Sequence, residues 1–444
     1  MRIVHVIGRR GPYRSEPDMA ERTCGRRVSC EGLWTAPFTG NGRDAVFVGL
    51  GLVCLAGCQR ESRDEGGLPA RPLAVAAAVV NIEESTFTRA EVCGTCHQAI
   101  HATWQQSMHS RAWSNPVFQA SYQRVSQTYP DGRGRLCLGC HAPTVRATED
   151  YGSEHELTRE GVTCDFCHSV AAVDSAVSPA RFEVHLGRTK YGPLKHAQSP
   201  VHQVVDSPLH RSAEFCAGCH EFQNEHGVPL LETCSEWAAS PYAAEGRTCQ
   251  ECHMPVVAGK VAANGGRDGV NLHNISGSHD LDRVRQAVTM KILYTTRPGA
   301  GRVQARILVD NVGSGHAFPT GLPLHRAMLE IHLLSSNGQL VRQQGVAFEK
   351  VLVDEHGGPV TDELGAFFDA VSIQSDTRLR PKEKRSVSVV FDNVNLESGS
   401  VQASLWYQYS THALRGSGDA ATIEPVDMKI LLSRDERILP DELR

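Results

Sequence analysis

The chain has 444 residues, with a formal net charge of −5 and 21% charged residues. An excess of acidic over basic residues is poorly suited to a phosphate backbone, which argues against nucleic acid as a partner. The 15 cysteines and 21 histidines are the unusual part of the composition, and ten of the cysteines fall into one repeated motif.

The N-terminal segment, residues 1–57, has the character of a leader. Residues 45–58 form an apolar run of the length expected for the core of a signal peptide, and the run is too short for a membrane span. It ends in Leu-Ala-Gly-Cys58, which resembles the lipobox of bacterial lipoproteins, in which the cysteine is acylated and becomes the new N-terminus. We therefore predict an exported protein, periplasmic or at the cell surface, anchored to a bacterial membrane by a lipid on Cys58.

The residues before Asp44 are rich in glycine and arginine and fit neither a folded domain nor an ordinary signal sequence. A translation start placed too far upstream explains them better than a genuine long leader, and both explanations stay open. Residues 1–57 hold eight arginines and five acidic residues, so the remaining chain has a formal net charge of −8. Residues 58–85 are polar and then rich in Ala, Pro and Val, which is typical of a flexible tether.

Five copies of Cys-x-x-Cys-His follow in the motif region, residues 86–284. Each copy places two thiols and an imidazole on about one helical turn, so the thiols can bond to both vinyl groups of one haem while the histidine binds the iron. From the first to the fifth motif, these residues are Cys93, Cys96 and His97; Cys137, Cys140 and His141; Cys164, Cys167 and His168; Cys216, Cys219 and His220; and Cys249, Cys252 and His253. The pattern predicts five covalent haems of the c type and a pentahaem cytochrome.

Two other interpretations of these cysteines are disfavoured. A structural zinc site draws four ligands from two separated pairs, whereas here a histidine directly follows the second cysteine in every copy. A redox-active dithiol occurs once per domain in a βαβ setting, and no such pattern surrounds these motifs.

A low-potential electron carrier requires a second histidine on each iron, opposite the first. His101 lies one helical turn after His97, on the same side of that haem, so it cannot reach the opposite face. One of His202 and His210 is expected to be a ligand, and His273 is preferred to His279. The five candidates for the distal position are His109, His202, His210, His273 and His316.

The strand region, residues 285–444, contains no cysteine and changes character. Apolar and polar residues alternate in five runs, and Asn337-Gly338 predicts a hairpin turn. The runs begin at Ala287, Val303, Ala327, Ser386 and Val401. We predict an antiparallel β-sandwich here, preceded by a mainly helical and irregular cytochrome domain, and therefore an α+β fold.

The segment Asn-Val-Gly-Ser-Gly-His-Ala-Phe-Pro-Thr-Gly, residues 311–321, is the most distinctive part of the strand region. Its glycines and proline predict a rigid loop that projects His316 from the end of a strand. We expect His316 to bind a haem iron and so to connect the two regions. The alternative is a buried histidine that hydrogen bonds within its own loop.

Several segments resemble the multihaem cytochrome superfamily that includes hydroxylamine oxidoreductase and the tetrahaem cytochrome of ammonia oxidisers. The resemblance covers about residues 90–330 and implies haems stacked in close pairs, along which electrons pass. The segments are Trp-Gln-Gln-Ser-Met-His at 104–109, Gly-Val-Thr-Cys-Asp-Phe-Cys-His at 161–168, Lys-Tyr-Gly-Pro at 190–193, Glu-Phe-Cys-Ala-Gly-Cys-His at 214–220, residues 236–255, and the loop at 315–321.

Two functions compete on this basis. The first is electron transfer between redox partner proteins by a non-enzymatic, membrane-anchored respiratory lipoprotein with five six-coordinate irons. The second is a multihaem oxidoreductase that acts on a small nitrogen or sulfur compound at one haem with an open coordination site. The chain lacks the Cys-x-x-Cys-Lys variant of ammonia-forming nitrite reductases, which favours the first.

Overall fold

A computed structural model of the chain describes residues 82–263, 265–408, 412–415, 422–425 and 429–440. The predicted leader, the lipidation site Cys58 and most of the tether lie outside these residues. Within them, no helix is long and apolar enough to cross a membrane.

The described part of the chain combines short helices with many short strands, an α+β architecture. The α-helices are α1 (Ala90–Gly94), α2 (Gln98–Gln105), α3 (Pro116–Thr128), α4 (Arg135–His141), α5 (Val145–Thr148), α6 (Glu156–Arg159), α7 (Cys164–Ser169), α8 (Ala213–His220), α9 (Thr233–Ala238), α10 (Pro241–Ala244), α11 (Cys249–His253), α12 (Leu281–Ala287) and α13 (Glu363–Phe368), with one 3-10 helix at Pro208–Arg211.

Local sequence signals explain where several helices begin. The Asn115 side chain accepts hydrogen bonds from the backbone N–H groups of Val117 and Phe118, and Pro116 occupies the first position of α3. Asp280 and Asp362 cap α12 and α13 in the same way. These caps satisfy N–H groups that a helix leaves without an internal partner.

The described residues of the motif region form four two-stranded sheets. β3 and β4 are parallel, and the other three pairs, β1–β2, β5–β6 and β7–β8, are antiparallel. The strands are β1 (Val170–Asp174), β2 (Arg181–Val184), β3 (Thr189–Gly192), β4 (Gln203–Asp206), β5 (Glu221–Gln223), β6 (Pro229–Glu232), β7 (Val256–Ala262) and β8 (Gly265–Asn271). The sequence did not predict these short strands, because none carries an alternating run long enough to be recognised.

The strand region forms two larger antiparallel sheets, with strand orders β15-β10-β9 and β12-β11-β16-β19, and two further pairs, β13–β14 and β17–β18. The strands are β9 (Val288–Gly299), β10 (Arg302–Asn311), β11 (Arg326–Ser335), β12 (Leu340–Phe348), β13 (Lys350–Val353), β14 (Ser372–Asp376), β15 (Lys384–Phe391), β16 (Gly399–Gln408), β17 (His412–Arg415), β18 (Thr422–Pro425) and β19 (Ile430–Ile438). All five alternating runs fall on strands, and the predicted Asn-Gly turn joins β11 to β12.

One hydrophobic core receives side chains from both sheets. Every second residue of β10, from Val303 to Val309, is buried, and the same holds for β11 from Ala327 to Leu333. Alternate side chains of a strand point to opposite faces, so these two strands each present one apolar face to the same core.

The two regions are also packed against each other. A second apolar cluster joins Leu230 of β6 to Leu352 of β13 and Ala366 of α13. The Asn224 side-chain amide donates to the carbonyl of Ala370 across the same contact, at 2.8 Å. All described residues belong to one compact unit.

Replacing Leu329 by Ala should test the importance of the shared core. Leu329 is fully buried, so we expect the free energy of unfolding to fall by about 2–5 kcal/mol. The matched control, Leu340→Ala, truncates a leucine that is 53% exposed, and should cost less than about 1 kcal/mol. Urea unfolding followed by far-ultraviolet circular dichroism measures both; similar losses for the two variants would contradict this description of the core.

Candidate functional site

Four of the five motifs lie on a single short helix each. The second, third, fourth and fifth motifs lie within α4, α7, α8 and α11, respectively, so the thiols and the imidazole of each motif share about one turn. In the first motif, Cys93 lies in α1 and His97 is the N-cap of α2. The chain bends between the two helices, yet His97 N–H still donates to the Cys93 carbonyl at 2.9 Å.

The imidazoles of four motifs are oriented by backbone carbonyls. The Nδ1 atom of His97 lies 2.7 Å from the Val261 carbonyl, and that of His168 lies 2.6 Å from the Tyr191 carbonyl. His141 and His253 make the same contact with Ala112 and Ser276, at 3.0 and 2.8 Å. A carbonyl can only accept, so Nδ1 carries the proton and Nε2 is free to bind a metal.

A second histidine stands near each of four motif histidines, at almost constant spacing. The ring centroids are 6.2 Å apart for His97 and His202, 6.2 Å for His220 and His109, 6.4 Å for His168 and His273, and 6.3 Å for His253 and His316. An imidazole nitrogen binds a transition metal at about 2 Å, so two imidazoles on opposite sides of one iron have centroids about 6 Å apart. The four pairs therefore fit haem iron with two axial histidines.

His210 does not share this geometry. Its ring lies 5.7 Å from that of His168, but Nδ1 hydrogen bonds to the Ser207 hydroxyl and Nε2 to the Cys167 carbonyl, both at 2.9 Å. A ring with both nitrogens in hydrogen bonds has no lone pair left for iron. Of the two histidines near His168, the structure favours His273 as the ligand and gives His210 a structural role.

The second motif has a different neighbour. The Phe118 ring stacks on the His141 imidazole, with centroids 3.9 Å apart and planes 7° from parallel. Among the described residues, no second imidazole has its ring centroid about 6 Å from that of His141, the separation found in the four pairs. Four opposed pairs are therefore found where the sequence led us to expect five.

Burial keeps these imidazoles in the form that binds metals. It lowers the pKa of His109, His253 and His273 to about 4, and it lowers the pKa of His316 as well. A pKa below the usual value means that the ring is neutral at neutral pH, and only the neutral ring has a lone pair to donate to iron.

Contacts between sulfur atoms show which motifs are adjacent. The Cys164 thiol lies beside that of Cys93 and lowers the pKa of Cys93 as a hydrogen-bond donor. In the same way, the Cys219 thiol lowers the pKa of Cys140 to about 7, and the Cys216 thiol lowers the pKa of Cys249. The first motif thus adjoins the third, and the second and fifth both adjoin the fourth.

His210 connects the pair formed by the first and third motifs with the group formed by the second, fourth and fifth motifs. Its ring contacts His168 of the third motif and lies 4.7 Å from Phe215, the residue before Cys216 of the fourth motif. Phe215 also packs against the apolar cluster that contains Phe166 of the third motif. The five attachment sites are therefore connected: the fourth motif adjoins the second and fifth motifs, and Phe215 and His210 link it to the third.

The loop at residues 311–321 brings His316 to the fifth motif, although the two lie in different regions of the chain. The Asn311 side chain donates to the His316 carbonyl at 3.1 Å, and the Ser314 hydroxyl lies 2.9 Å from His316 Nδ1. Phe318 and Leu379 exchange two backbone hydrogen bonds that fix the far side of the loop. The side chain is thus held by its own loop and still faces His253.

Sequence reasoning did not identify Phe118, Glu236 or Arg378. Glu236 lies in a segment that the sequence singled out, but its importance comes from contacts with Ala317, Thr320 and Arg378, which are distant along the chain. A local pattern cannot reveal such contacts.

Comparison with known proteins agrees with this geometry. Residues 92–169 match the family model described as cytochrome c554 and c-prime. The solved structure of a penta-heme cytochrome c552 from Thermochromatium tepidum is similar to this chain, with 21% identity and a TM-score of 0.61 over 80% of this chain and 100% of that chain. No curated protein sequence matches.

Two other solved structures resemble only parts of the chain. They are a putative beta-galactosidase from Bacteroides fragilis, with 12% identity and a TM-score of 0.16 over 34% of this chain and 15% of that one, and IrmA from Escherichia coli, with 10% identity and a TM-score of 0.14 over 31% and 85%. Neither score supports a common fold.

The motifs, the opposed imidazoles and these similarities support a multihaem c-type cytochrome. Its match to the cytochrome c554 and c-prime family model covers the first three motifs, and the similarity to the penta-heme cytochrome shows the same fold over most of the chain. The family match and the structural similarity together support a role in electron transfer.

Proposed function

We propose that the protein transfers electrons through five covalently bound c-type haems, as an exported lipoprotein anchored by Cys58. The observation that carries the proposal is the connected series of motifs with four opposed histidine pairs. A c-type haem supplies an iron that changes between two oxidation states. The proposal includes a β-sandwich for the strand region, and side chains of both sheets in one core support it.

The chain's own residues would provide attachment, orientation and close spacing. The ten motif cysteines would hold the haems, and the backbone carbonyls orient the motif imidazoles that would bind iron. The opposed histidines would occupy the second position on four of the irons and exclude substrates from it. Contact between neighbouring motifs would let electrons pass from site to site. The donor and acceptor would be redox partner proteins, and the acidic chain argues against nucleic acid.

One observation favours a second candidate function, a multihaem oxidoreductase acting on a small nitrogen or sulfur compound. His141 has no opposing imidazole among the described residues, so the second motif is the place where an iron could keep an open face. The reaction would also require a donor of protons near that face. Within the series, electrons could reach this site through the fourth motif.

Low-temperature electron paramagnetic resonance on the oxidised, haem-loaded protein tests these assignments. A carrier with two axial histidines on every iron predicts five low-spin irons. An open face at the second motif predicts four low-spin irons and one high-spin iron, because a haem with one axial histidine is high-spin. His141→Ala should remove the high-spin signal or change it, whereas His273→Ala should add a second one. Five low-spin irons would overturn the open site at the second motif, and electron transfer would then be the one remaining function.

A substrate test separates the two functions. If the second motif is catalytic, reduced protein should be reoxidised by nitrite, hydroxylamine or a sulfur oxyanion, and a ligand for open ferrous haem such as carbon monoxide should block that reaction. If carbon monoxide binds about one haem in five but none of these compounds is turned over, the carrier function stands and the oxidoreductase is rejected.

A further inference from the structure

The most elaborate group of buried charges outside the haem sites lies behind the loop that carries His316. We define the ion cluster as Glu232, Glu236, Lys350, Asp376 and Arg378. Arg378 and Lys350 have side chains only 7% and 1% exposed, and Glu236 is 11% exposed. Charges this deeply buried are costly unless they are paired, so the arrangement calls for an explanation.

Arg378 is the centre of the ion cluster. Its guanidinium lies 2.6 Å from Glu236, 2.7 Å from Asp376 and 3.4 Å from Glu232. Burial alone would lower the pKa of Arg378, but the hydrogen bond to Asp376 and the charge of Glu236 raise it above its usual value. Lys350 lies 2.5 Å from Glu232 and completes the cluster.

Glu236 connects the ion cluster to the loop. One carboxylate oxygen, Oε2, accepts from the Ala317 N–H at 3.1 Å and from the Thr320 hydroxyl at 2.6 Å. The other, Oε1, faces Arg378 as an ion pair. Glu236 therefore holds the residue directly after His316, and it does so from helix α9 of the motif region.

Neighbouring residues of the motif region support the same loop at two more points. The Thr233 and Thr320 hydroxyls are 3.0 Å apart, and the Tyr242 hydroxyl donates to the Val312 carbonyl at 3.2 Å. The Trp237 and Tyr242 rings lie against Gly315. The strand region supplies the loop and Arg378, while the motif region supplies Glu236 and these contacts.

We propose that Glu236 is a positioning residue, which with Arg378 holds the strand-region loop so that His316 stays on the fifth haem iron. The inference rests on the proposed function, since it requires His316 to be that iron's distal ligand. Without Glu236, the loop would lose two hydrogen bonds beside His316 and Arg378 would lose the ion pair behind the loop, so the imidazole would leave the iron for part of the time.

The test compares Glu236→Gln with Glu232→Gln in the full-length, haem-loaded protein. Glu232→Gln removes a charge from the same ion cluster and the same arginine, but among the described residues the Glu232 side chain bonds to Lys350 and Arg378 and not to the loop. By electron paramagnetic resonance, Glu236→Gln should gain a high-spin signal of up to about one haem beyond the wild type, and Glu232→Gln should not. Added imidazole should return the Glu236→Gln signal towards low-spin, because it can occupy the free iron position.

Thr320→Val gives a second variant for the case in which Glu236→Gln fails to fold, and it should produce a smaller high-spin signal of the same kind. A wild-type spectrum for Glu236→Gln, or an equal change in Glu232→Gln, would overturn the positioning role. His316→Ala separates the positioning role of Glu236 from the assignment of His316 as the distal ligand. If His316→Ala gains the high-spin signal and Glu236→Gln does not, only the inference fails; if His316→Ala is unchanged, the ligation itself is rejected.

Discussion

Replacing both cysteines of the fourth motif, Cys216→Ala with Cys219→Ala, should lower the haem content by one per chain. It should also stop electrons from passing between the second motif, the fifth motif and the adjacent pair formed by the first and third motifs. The reason is that the fourth motif adjoins the second and fifth motifs, and Phe215, the residue before Cys216, packs with Phe166 of the third motif. Pyridine haemochrome spectra measure the haem content. Pulsed reduction, followed at several wavelengths, measures how fast an electron redistributes.

The second motif provides the matched control for this experiment. Cys137→Ala with Cys140→Ala also removes one haem, but at a motif whose thiol contact among the described residues is with Cys219 alone. Electrons should still redistribute among the first, third, fourth and fifth sites. Equal loss of redistribution in both double variants would contradict the central position of the fourth motif.

Replacing His273 by Met should raise the midpoint potential of one haem by on the order of 0.1 V, because a Met/His pair of axial ligands favours the reduced iron more than two histidines do. His273 is expected to show this effect because its ring stands 6.4 Å from that of His168 and burial keeps it neutral. Spectroelectrochemical titration resolves the shifted haem.

His210→Gln is the control, since His210 also lies near His168 but uses both ring nitrogens in hydrogen bonds. Glutamine retains a donor and an acceptor, so the axial ligation should remain that of the wild type. A new high-spin signal in His210→Gln, with an unchanged spectrum in His273→Met, would reverse the assignment of these two histidines.

The sequence predicted the parts of the fold that depend on neighbouring residues. Four of the five motifs lie on one helix each, as the spacing of their three functional residues predicts. The alternating runs at Val303 and Ala327 became strands because one face of each is buried. The Asn-Gly turn was equally local, since Gly338 takes the left-handed conformation that the turn requires.

The pairing of the axial histidines could not be predicted in this way. His202 and His210 lie in one short segment and have the same side chain, yet His202 lies opposite His97, with ring centroids 6.2 Å apart, while His210 is held by Ser207 and Cys167. The difference depends on which motif each residue meets after the chain has folded. The same holds for His141, opposite which the described residues place no histidine.

The direction of the chain gives the axial pairs a consequence for maturation. The opposed partners of His97, His168 and His253 all come later in the sequence than the motif they face, and the last of them lies in the strand region. Of the four pairs, His220 alone has a partner, His109, that precedes it. If the chain is exported from its N-terminus as proposed, haems joined to a growing chain would therefore lack their second histidine and stay reactive. Premature termination before His316 would then yield a chain that retains every attachment site and lacks the histidine that faces His253.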